Sequence, residues 1–365
     1  MKIPYVDISA QYCSIKYEIL KEVEDVLASG QVILGEVVNN FEESFAALCH
    51  TKYAVGVANG TDALMLSMKA LGIGEGDEVL TVPNSFIATA SSIVLVGAQP
   101  VFVDVGDDFN IDPDKIERAI TSKTKAIIPV HLTGRPADLN PILNIANKYG
   151  LSVIEDAAQA ARAEYEKQRV GSFGATGCFS FHPLKNFNAF GDGGAITTND
   201  IKLYQKLLKL RNHGLRNRDE CEFWGYNSRL DAIQAAILNV KLKYLEKWVN
   251  RRRKIAFIYQ EQLKQLVHVP VDKPFEKAVY HTFIIQADDR DELQKYLAKK
   301  GVNTKIHYPI PIHLQNSAMG LGYKKGDFPH VEKQSLRILS IPVYPELSDE
   351  QIEYIINSIK AFYAG

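Results

Sequence analysis

The chain alternates short apolar runs with longer stretches in which apolar residues recur at helical spacing. The apolar runs predict strands over residues 53–57, 78–82, 100–104, 125–130 and 152–155. Helical patterns lie between most of them, over residues 61–71, 87–96, 112–120 and 141–149. Strands that alternate with helices of about ten residues form βαβ units, and such units build a mostly parallel sheet. This part of the chain therefore predicts an α/β fold.

Further elements are predicted on both sides of this alternation. Helical patterns precede it over residues 14–28 and 37–49, and strand-like runs at 176–181 and 194–198 follow it, before an amphipathic helix over 201–212. A long helical run ends near residue 265, after which strands and helices are predicted over 281–287, 291–300, 303–307 and 348–363. We therefore predict a large domain over residues 1–265, which includes the long helix, and a smaller C-terminal α+β domain over residues 266–365.

Composition and charge exclude several classes of protein. The chain has 365 residues, 46% of them apolar, and a net charge of −1, so it can bury a sizeable core, and its charge does not favour nucleic acid or a membrane surface as partner. It shows neither a signal peptide nor the run of about 18 apolar residues that a membrane helix requires. Its scattered cysteines, without a C-x-x-C pair, favour reduced thiols in the cytoplasm over disulfides or a metal site.

One lysine stands in an aromatic, glycine-rich stretch over residues 177–195. Lys185 is flanked by phenylalanines, and Asp192, between glycines, is the only other formal charge in the stretch. Burial among such side chains lowers the pKa of a lysine, and a neutral amine is a nucleophile that forms Schiff bases with aldehydes. The alternative is a lysine whose stem lies on apolar neighbours while its charge reaches solvent. The glycines, which let the backbone pass close to a bulky group, favour the nucleophile.

Three candidate positions follow predicted strands, where ligands bind in parallel sheets. Gly60 and Thr61 suit a turn into a helix whose free N–H groups would hold a phosphate, although an ordinary capped turn uses the same residues. Phe86 is placed either to stack on a planar ring above the sheet or to fill the core. Asp156, at the end of a buried strand, needs a cation such as a protonated pyridine nitrogen, unless it only caps a helix.

Four motifs occur in one order along the chain. They are Asn-Gly-Thr-Asp at 59–62, Glu-Asp-Ala-Ala-Gln at 155–159, the segment 179–194 around Lys185, and Asn-Ser-Arg-Leu-Asp-Ala-Ile-Gln-Ala at 227–235. Together they resemble the DegT/DnrJ/EryC1/StrS family of sugar aminotransferases, over essentially the whole chain. The resemblance implies a fold-type-I enzyme, like aspartate aminotransferase, with a mostly parallel seven-stranded sheet and pyridoxal 5'-phosphate as its cofactor.

The resemblance also implies a role for each matching residue. Lys185 falls on the family's Schiff-base lysine, Asp156 on the acid that pairs with the pyridine nitrogen, and Gln159 on the group beside the ring hydroxyl. The other implied cofactor contacts are the phosphate ligands and the ring-stacking residue, at Gly60, Thr61, Ser180, Asn227 and Phe86. Because the family takes the contact matched by Asn227 from the neighbouring subunit, it implies a homodimer with shared active sites.

A ping-pong cycle is expected, in which an amino acid, expected to be glutamate, gives its nitrogen to a keto sugar. Residues 305–315 resemble enzymes that act on nucleotide-linked 3-keto-6-deoxyhexoses, so we expect a dTDP-3-keto-6-deoxyhexose as acceptor. Candidate substrate contacts are His182, His307, Tyr308 and His313. The alternative for the last three is a rigid, proline-bracketed loop with satisfied histidines. A 4-keto sugar or a 3-keto-hexuronate stays open as the acceptor.

The chain departs from the family pattern at two positions. Arg162 replaces a usual glycine, which puts the local turn in doubt, and His182 replaces the usual Tyr or Phe before a proline. Dehydratase relatives carry histidine in place of the lysine, so Lys185 favours transamination. A nucleotide-dependent dehydrogenase is disfavoured because no G-x-G-x-x-G follows the first strand. A non-catalytic regulatory homologue is disfavoured because Lys185, Asp156 and Gln159 are all present.

Overall fold

The computed structural model describes residues 1–365 and contains ten α-helices and twelve strands. The helices are α1 Ile8–Ser29, α2 Glu36–Leu48, α3 Gly60–Ala70, α4 Ala88–Leu95, α5 Leu139–Tyr149, α6 Ile201–Leu210, α7 Ala232–Leu263, α8 Arg290–Lys299, α9 Pro329–Ser335 and α10 Asp349–Tyr363. The strands are β1 Tyr53–Val57, β2 Glu78–Thr81, β3 Gln99–Phe102, β4 Thr124–Ile127, β5 Ser152–Asp156, β6 Glu164–Tyr165, β7 Gln168–Arg169, β8 Thr176–Ser180, β9 Gly194–Thr198, β10 Glu276–Lys277, β11 Phe283–Gln286 and β12 Ile338–Ile341.

Seven strands form the central sheet, in the order β1-β9-β8-β5-β4-β2-β3. Strands β8, β5, β4, β2 and β3 run parallel, whereas β9 is antiparallel to both of its neighbours, β1 and β8. The predicted mostly parallel, seven-stranded α/β sheet is confirmed. The carboxyl ends of β1, β5 and β8 meet the amino end of β9 at one edge, where Asp156 pairs with Cys178 and Ser180 with Gly194.

Helices cover both faces of this sheet, and neighbouring residues of β8 show how. Cys178 packs in a cluster with residues of β1, α3 and α6, whereas Phe179 packs on the opposite face with residues of α2 and α7. The rings of Phe179 and Phe45 meet edge to face, with their centroids 4.9 Å apart. A strand buried on both faces consists almost entirely of apolar residues, which is why the sequence shows these strands as short apolar runs.

The 32-residue helix α7 joins the central sheet to the C-terminal part of the chain. Its first half contributes Ala235 and Leu238 to the core beside α2, and its second half contributes Ile255 and Tyr259 to a separate core with β11, β12 and α10. Strands β11 and β12 form an antiparallel pair. The division of the chain between residues 265 and 266 stays a prediction. None of the helices combines the length and apolar character that a membrane crossing requires.

Two predicted elements differ from the structure, and two elements of the C-terminal part were not predicted. The expected helix over residues 112–120 is two short 3-10 turns, because Ile116 is the only buried residue that could anchor a helix there. The expected strand over residues 303–307 forms only a single bridge, from Lys305 to Ser340. The strand that pairs with β11 is β12, a four-residue run too short to stand out from the sequence, and helix α9 before it was also not predicted.

Candidate active site

A cavity of about 580 Å³ opens at the edge of the sheet where β1, β5 and β8 end. Its volume is in the range typical of small-molecule sites. The cavity brings together nearly all of the residues singled out from the sequence, namely Gly60, Thr61, Phe86, Asp156, Gln159, Ser180, His182, Lys185, His307 and Tyr308. Residues from distant parts of the chain therefore meet at one site because the strands that carry them are neighbours in the sheet.

Lys185 lies half-buried in the loop between β8 and β9, at the wall of the cavity. Its backbone N–H donates to the carbonyl of His182 at 2.8 Å, which fixes the turn that carries it. Burial lowers the pKa of Lys185 to about 8, an effect that the charge of Asp156 partly opposes. Its Nζ has no ion pair in the chain, so the amine is open to a group in the cavity.

Asp156 is a buried carboxylate whose partners in the chain are all neutral. Thr89 Oγ1 donates to its Oδ2 at 2.7 Å, and the backbone N–H of Ala158 donates to its Oδ1 at 3.2 Å. Only 5% of the residue is exposed, and no lysine, arginine or histidine lies within ion-pair distance of it. Because a buried carboxylate is stabilised most by a cation, the cavity beside Asp156 suits a ligand with a positively charged ring nitrogen.

Helix α3 begins at the cavity and presents free backbone N–H groups to it. The side chain of Asn59 caps the helix by accepting from the N–H of Asp62 at 2.8 Å, which leaves the N–H groups of Gly60 and Thr61 available. A Cβ atom added at Gly60 would lie 2.7 Å from the Cβ of Ser180, so glycine is needed for the helix to approach β8 this closely. The arrangement is suited to an anion such as a phosphate.

Gln159, Tyr308 and Phe86 also line the cavity and lie near one another. Gln159 Oε1 accepts from the backbone N–H of Thr133 at 2.8 Å, and its Nε2 donates to Tyr308 Oη at 3.3 Å. The rings of Tyr308 and Phe86 lie 6.1 Å apart, and Phe86 is 53% exposed. Since Phe86 does not fill the core, its open face is available to a planar ring.

Residues 13–360 match the sequence model of the DegT/DnrJ/EryC1/StrS aminotransferase family. The chain belongs to this family. Three relatives align with it over nearly their whole length. It is 45% identical to a pleiotropic regulatory protein of Geobacillus stearothermophilus, with 100% of this chain and 99% of the relative covered. It is 44% identical to the dTDP-3-amino-3,6-dideoxy-α-D-galactopyranose transaminase of Aneurinibacillus thermoaerophilus, with 99% of each covered.

The third relative is the UDP-N-acetyl-3-dehydro-α-D-glucosamine 3-aminotransferase of Acidithiobacillus ferrooxidans, 44% identical over 100% of this chain and 98% of the relative. Among solved structures, DesV of S. venezuelae superposes with a TM-score of 0.97 at 39% identity, covering 99% of this chain and 98% of that one. NtdA of Bacillus subtilis, solved with the cofactor PMP, gives a TM-score of 0.94 at 32% identity, over 100% and 86% of the two chains. The family member described here is a transaminase, and its cofactor is pyridoxal phosphate.

The side chains around the cavity fit this cofactor. The free N–H groups at the start of α3 suit its phosphate, the neutral-partnered carboxylate of Asp156 suits its ring nitrogen, and the unpaired amine of Lys185 suits its aldehyde. These three features lie on three different strand ends of one sheet edge. The order of the strands in the sheet is therefore enough to bring these three features together.

Histidines are among the expected substrate contacts of the transaminase. His182 and His307 line the cavity, and Ser340 Oγ lies 2.9 Å from His307 Nδ1. Burial, together with the charges of Lys185 and Lys305, lowers the pKa of His307 to about 4. His307 is therefore a neutral imidazole at physiological pH.

Two of the expected residues are not brought to the cavity of their own chain. His313 is buried beside the ring of Phe328, and its Nε2 lies 3.0 Å from Glu332 Oε1. Its Nδ1 is buried without a hydrogen-bond partner, so only one of its two ring nitrogens is satisfied. Asn227 is exposed, on a segment that pairs with Asn212.

Arg162 forms a left-handed turn at the position where the family pattern has glycine. Arg162 has a φ of 74°, in the left-handed region that glycine adopts at little cost. Its side chain compensates with an ion pair to Glu246 at 2.9 Å, and its carbonyl accepts from Arg169 Nη1 at 2.9 Å. These contacts explain how a non-glycine residue is held in this conformation.

Thr89 and His281 are among the side chains that line the cavity of the transaminase and that sequence reasoning missed. Thr89 lies within a helix pattern, and only the fold reveals that its hydroxyl faces Asp156. His281 was predicted to start an ordinary strand. Burial, reinforced by the charges of Lys185 and Arg252, holds its pKa well below the usual value, and its Nδ1 is buried without a hydrogen-bond partner. No motif in the sequence marks either residue.

Proposed function

We propose that this transaminase transfers an amino group from L-glutamate to the keto carbon of a nucleotide-linked keto sugar. The preferred acceptor in this proposal is a dTDP-3-keto-6-deoxyhexose, which becomes the 3-amino-3,6-dideoxyhexose. The observation that carries the chemistry is the unpaired amine of Lys185 in one cavity with the carboxylate of Asp156 and the start of α3. The acceptor is supported by the names of two relatives that are 44% identical, since both names refer to position 3 of a nucleotide sugar.

Three groups of the chain would hold the cofactor. The N–H groups of Gly60 and Thr61, with the hydroxyl of Ser180, would bind its phosphate, and this anchor keeps the cofactor in place in any state without a covalent bond to the protein. Asp156 would accept from the protonated ring nitrogen, and Phe86 would cover the ring. Gln159 would face the ring hydroxyl. When bound, pyridoxal phosphate supplies an aldehyde for the incoming amine and a ring that accepts carbanion charge.

Lys185 would hold and move the proton. Because its pKa is about 8, the neutral and charged forms of the amine are both populated near neutral pH. Proton transfer is most efficient when the pKa of the transferring group is close to the working pH. The amine would take a proton from the reacting carbon of the amino donor. It would give this proton to the aldehyde carbon of the cofactor.

The cavity offers neutral groups to the sugar. His307 and Tyr308 each present a group that donates or accepts hydrogen bonds without charge at neutral pH, as sugar hydroxyls require, and His182 lines the same cavity. Lys185 is the only lysine or arginine of this chain among the lining residues. A 3-keto-hexuronate would bring a carboxylate that calls for a cation of its own, so this cavity favours a 6-deoxyhexose.

A homodimer with shared sites is part of the proposal. Asn227 faces solvent in its own chain, beside a loop whose Trp224 is 95% exposed. A partner subunit that covers this surface would therefore receive Asn227 at the phosphate of its own cofactor.

Mixing a Lys185→Ala chain with an Asn227→Ala chain tests this arrangement. Each mixed dimer would contain one intact site, so the mixture should exceed both parents in activity at limiting cofactor. Activity that only averages the parents would contradict shared sites.

The acceptor is tested by incubating the purified transaminase with glutamate and each of several nucleotide keto sugars. The panel contains dTDP-3-keto-6-deoxyhexose, the corresponding 4-keto sugar, UDP-N-acetyl-3-keto-glucosamine and the 3-keto-hexuronate. We expect amination of the first at C3, identified by mass spectrometry and NMR. Preferred amination of a 4-keto sugar or hexuronate would replace the proposed acceptor. No turnover of any of them would favour the remote alternative of a non-catalytic regulatory homologue.

A further inference from the structure

A fully buried lysine lies behind the loop that carries Lys185. Lys241 lies on α7, on the buried stripe that also contains Leu238 and Leu245, and none of its surface is exposed. No carboxylate lies within ion-pair distance of its Nζ. An ammonium in such a place is costly unless polar groups replace its water. The groups that do so therefore indicate what the lysine is for.

The partners of Lys241 come from two different elements. Its Nζ donates to Gln11 Oε1 of α1 at 3.1 Å and to Asn188 Oδ1 at 3.2 Å, and it lies 3.9 Å from the centroid of the Phe190 ring. An aromatic face attracts a cation, most strongly where water is absent. Two of the three partners, Asn188 and Phe190, belong to the loop between β8 and β9, a few residues after Lys185.

The loop depends on these contacts for its shape. Asn188, held by Lys241 through its oxygen, donates with its Nδ2 to the carbonyl of Pro183 at 2.7 Å, which closes the loop around Lys185. Phe190 exchanges backbone hydrogen bonds with the side chain of Gln234, another residue of α7, at 2.9 and 3.2 Å. The segment that follows Lys185 is thus fastened to α7 at two positions, Gln234 and Lys241, which lie seven residues apart on the helix.

We propose that Lys241 is a positioning residue for Lys185, which it holds in place by fixing Asn188 and Phe190 from behind the loop. The proposal rests on the role proposed above for Lys185. A shift of about 1 Å in a reacting group can cost about 10²-fold in rate, so a residue that fixes the loop contributes to turnover without touching the reacting atoms. A nonpolar residue would fill the space but leave the oxygens of Gln11 and Asn188 without partners.

Lys241→Met tests the proposal, with Lys243→Met as the matched control. Lys243 lies on the same helix, but its side chain is 61% exposed. In the cofactor-free protein, Lys241→Met should raise hydrogen exchange in residues 181–193 by about 10-fold, as expected for the loss of buried hydrogen bonds, while exchange in the central strands stays at the wild-type level. Lys243→Met should leave the loop unchanged. Unaltered exchange in residues 181–193 of Lys241→Met would overturn the proposal.

A spectroscopic readout separates positioning from general stability. The absorbance of the bound cofactor reports the protonation of its link to Lys185, so displacement of that lysine should shift the pH midpoint of the absorbance change, by roughly half a pH unit or more. Turnover should fall by about 10- to 100-fold with little change in KM. A lower melting temperature with an unmoved midpoint would mean that Lys241 is merely structural, which contradicts the proposal.

Two further variants keep the test decisive if Lys241→Met fails to fold. Asn188→Ala removes the oxygen that the loop offers to Lys241, and Gln11→Ala removes the one that α1 offers. The proposal predicts faster exchange of residues 181–193 in Asn188→Ala and wild-type exchange in Gln11→Ala; equal effects of the two would overturn it. Because exchange is measured without cofactor or sugar, these results stand apart from the acceptor assays. A mobile loop with no aminated sugar would support the proposal while rejecting the proposed acceptor.

Discussion

Lys185, half-buried at the cavity wall, and Lys241, fully buried, are two lysines with similarly lowered pKa values and different surroundings. Burial lowers the pKa of Lys185 to about 8 and that of Lys241 to about 7, and in each case a distant carboxylate partly opposes the effect. The Nζ of Lys185 faces a cavity and has no ion pair. The Nζ of Lys241 is enclosed by two amide oxygens and an aromatic ring.

The comparison shows that a lowered pKa alone does not identify a reactive lysine. The amine of Lys241 is as readily deprotonated as that of Lys185, yet its lone pair would face protein atoms that fill the space around it. Lys185 differs because the cavity leaves room for an aldehyde and because Asp156 lies in the same cavity. Access and neighbouring groups, rather than burial, separate chemistry from positioning here.

The largest effect is expected from Lys185→Ala, the variant that removes the reactive member of the pair. Loss of the group that transfers the proton should reduce transamination by at least about 10³-fold. The protein should still fold and bind the cofactor, since the Lys185 side chain has no ion pair to lose and the phosphate contacts remain. Borohydride reduction followed by peptide mapping measures the attachment, which should occur at Lys185 in the wild type and vanish in the variant.

An exposed lysine provides the control for this experiment. Lys167→Ala, at the tip of the β6–β7 hairpin, should keep wild-type turnover and attachment. Wild-type turnover by Lys185→Ala would refute the role assigned to it, and attachment at Lys241 in the wild type would reverse the comparison.

Asp156→Asn and Glu155→Gln extend the contrast to two neighbouring carboxylates of β5. Asp156 faces the cavity, whereas Glu155 is fully buried and accepts from the N–H groups of Gly171, Phe173 and Gly174 at 2.7–2.9 Å. Asp156→Asn should lower turnover by about 10²-fold, because the amide no longer favours a protonated ring nitrogen. Glu155→Gln should instead lower the free energy of unfolding by about 3 kcal/mol. Steady-state kinetics and urea unfolding measure the two effects, and a reversed pattern would contradict this assignment.

The sequence revealed one of the two lysines and concealed the other. Lys185 could be found because its glycines and phenylalanines are local, and Asp156 because it follows a predicted strand. Lys241 appears in the sequence only as a polar position within a helix. Its partners, Gln11 and Asn188, lie far away along the chain, so their contact exists only after folding. No local pattern could have marked it.

The same limit explains the other differences between expectation and structure. The central sheet was predictable because strands buried on both faces leave apolar runs in the sequence. His281 was missed because it reaches the cavity from the C-terminal part of the chain. Packing between separate cores decides which residues of that part reach the cavity. His313 lies beside candidates that do line the cavity, but the turn between them directs it to Glu332. Sequence proximity did not predict that direction.

Gly60→Ala tests the phosphate end of the cavity on which the access of Lys185 depends. A Cβ there would lie 2.7 Å from the Cβ of Ser180, so α3 must move away from β8 and its N–H groups from the phosphate. We expect the Kd for pyridoxal phosphate to rise about 30-fold, equivalent to about 2 kcal/mol. Fluorescence titration measures it. Equal affinity in Gly60→Ala and the wild type would show that the close approach is not needed.

The smallest effect is a difference in how the stability of the cofactor-free protein depends on pH, and it compares the two lysines directly. A lysine whose pKa is lower in the folded state than in the unfolded chain binds fewer protons when folded, so its cost to stability is present in full below the folded pKa. The cost is relieved as pH rises from the folded pKa towards about 10.4, by at most about 1.4 kcal/mol per pH unit.

Urea unfolding between pH 7 and 9.5, at one protein concentration, should therefore show wild-type stability rising relative to both Lys185→Ala and Lys241→Met. The rise should begin near pH 7 against Lys241→Met and about one pH unit higher against Lys185→Ala. Parallel curves for wild type and Lys241→Met would mean that the enclosed amine is solvated well enough to keep its ordinary pKa. The two lysines would then no longer share a lowered pKa, and only their difference in access to the cavity would remain.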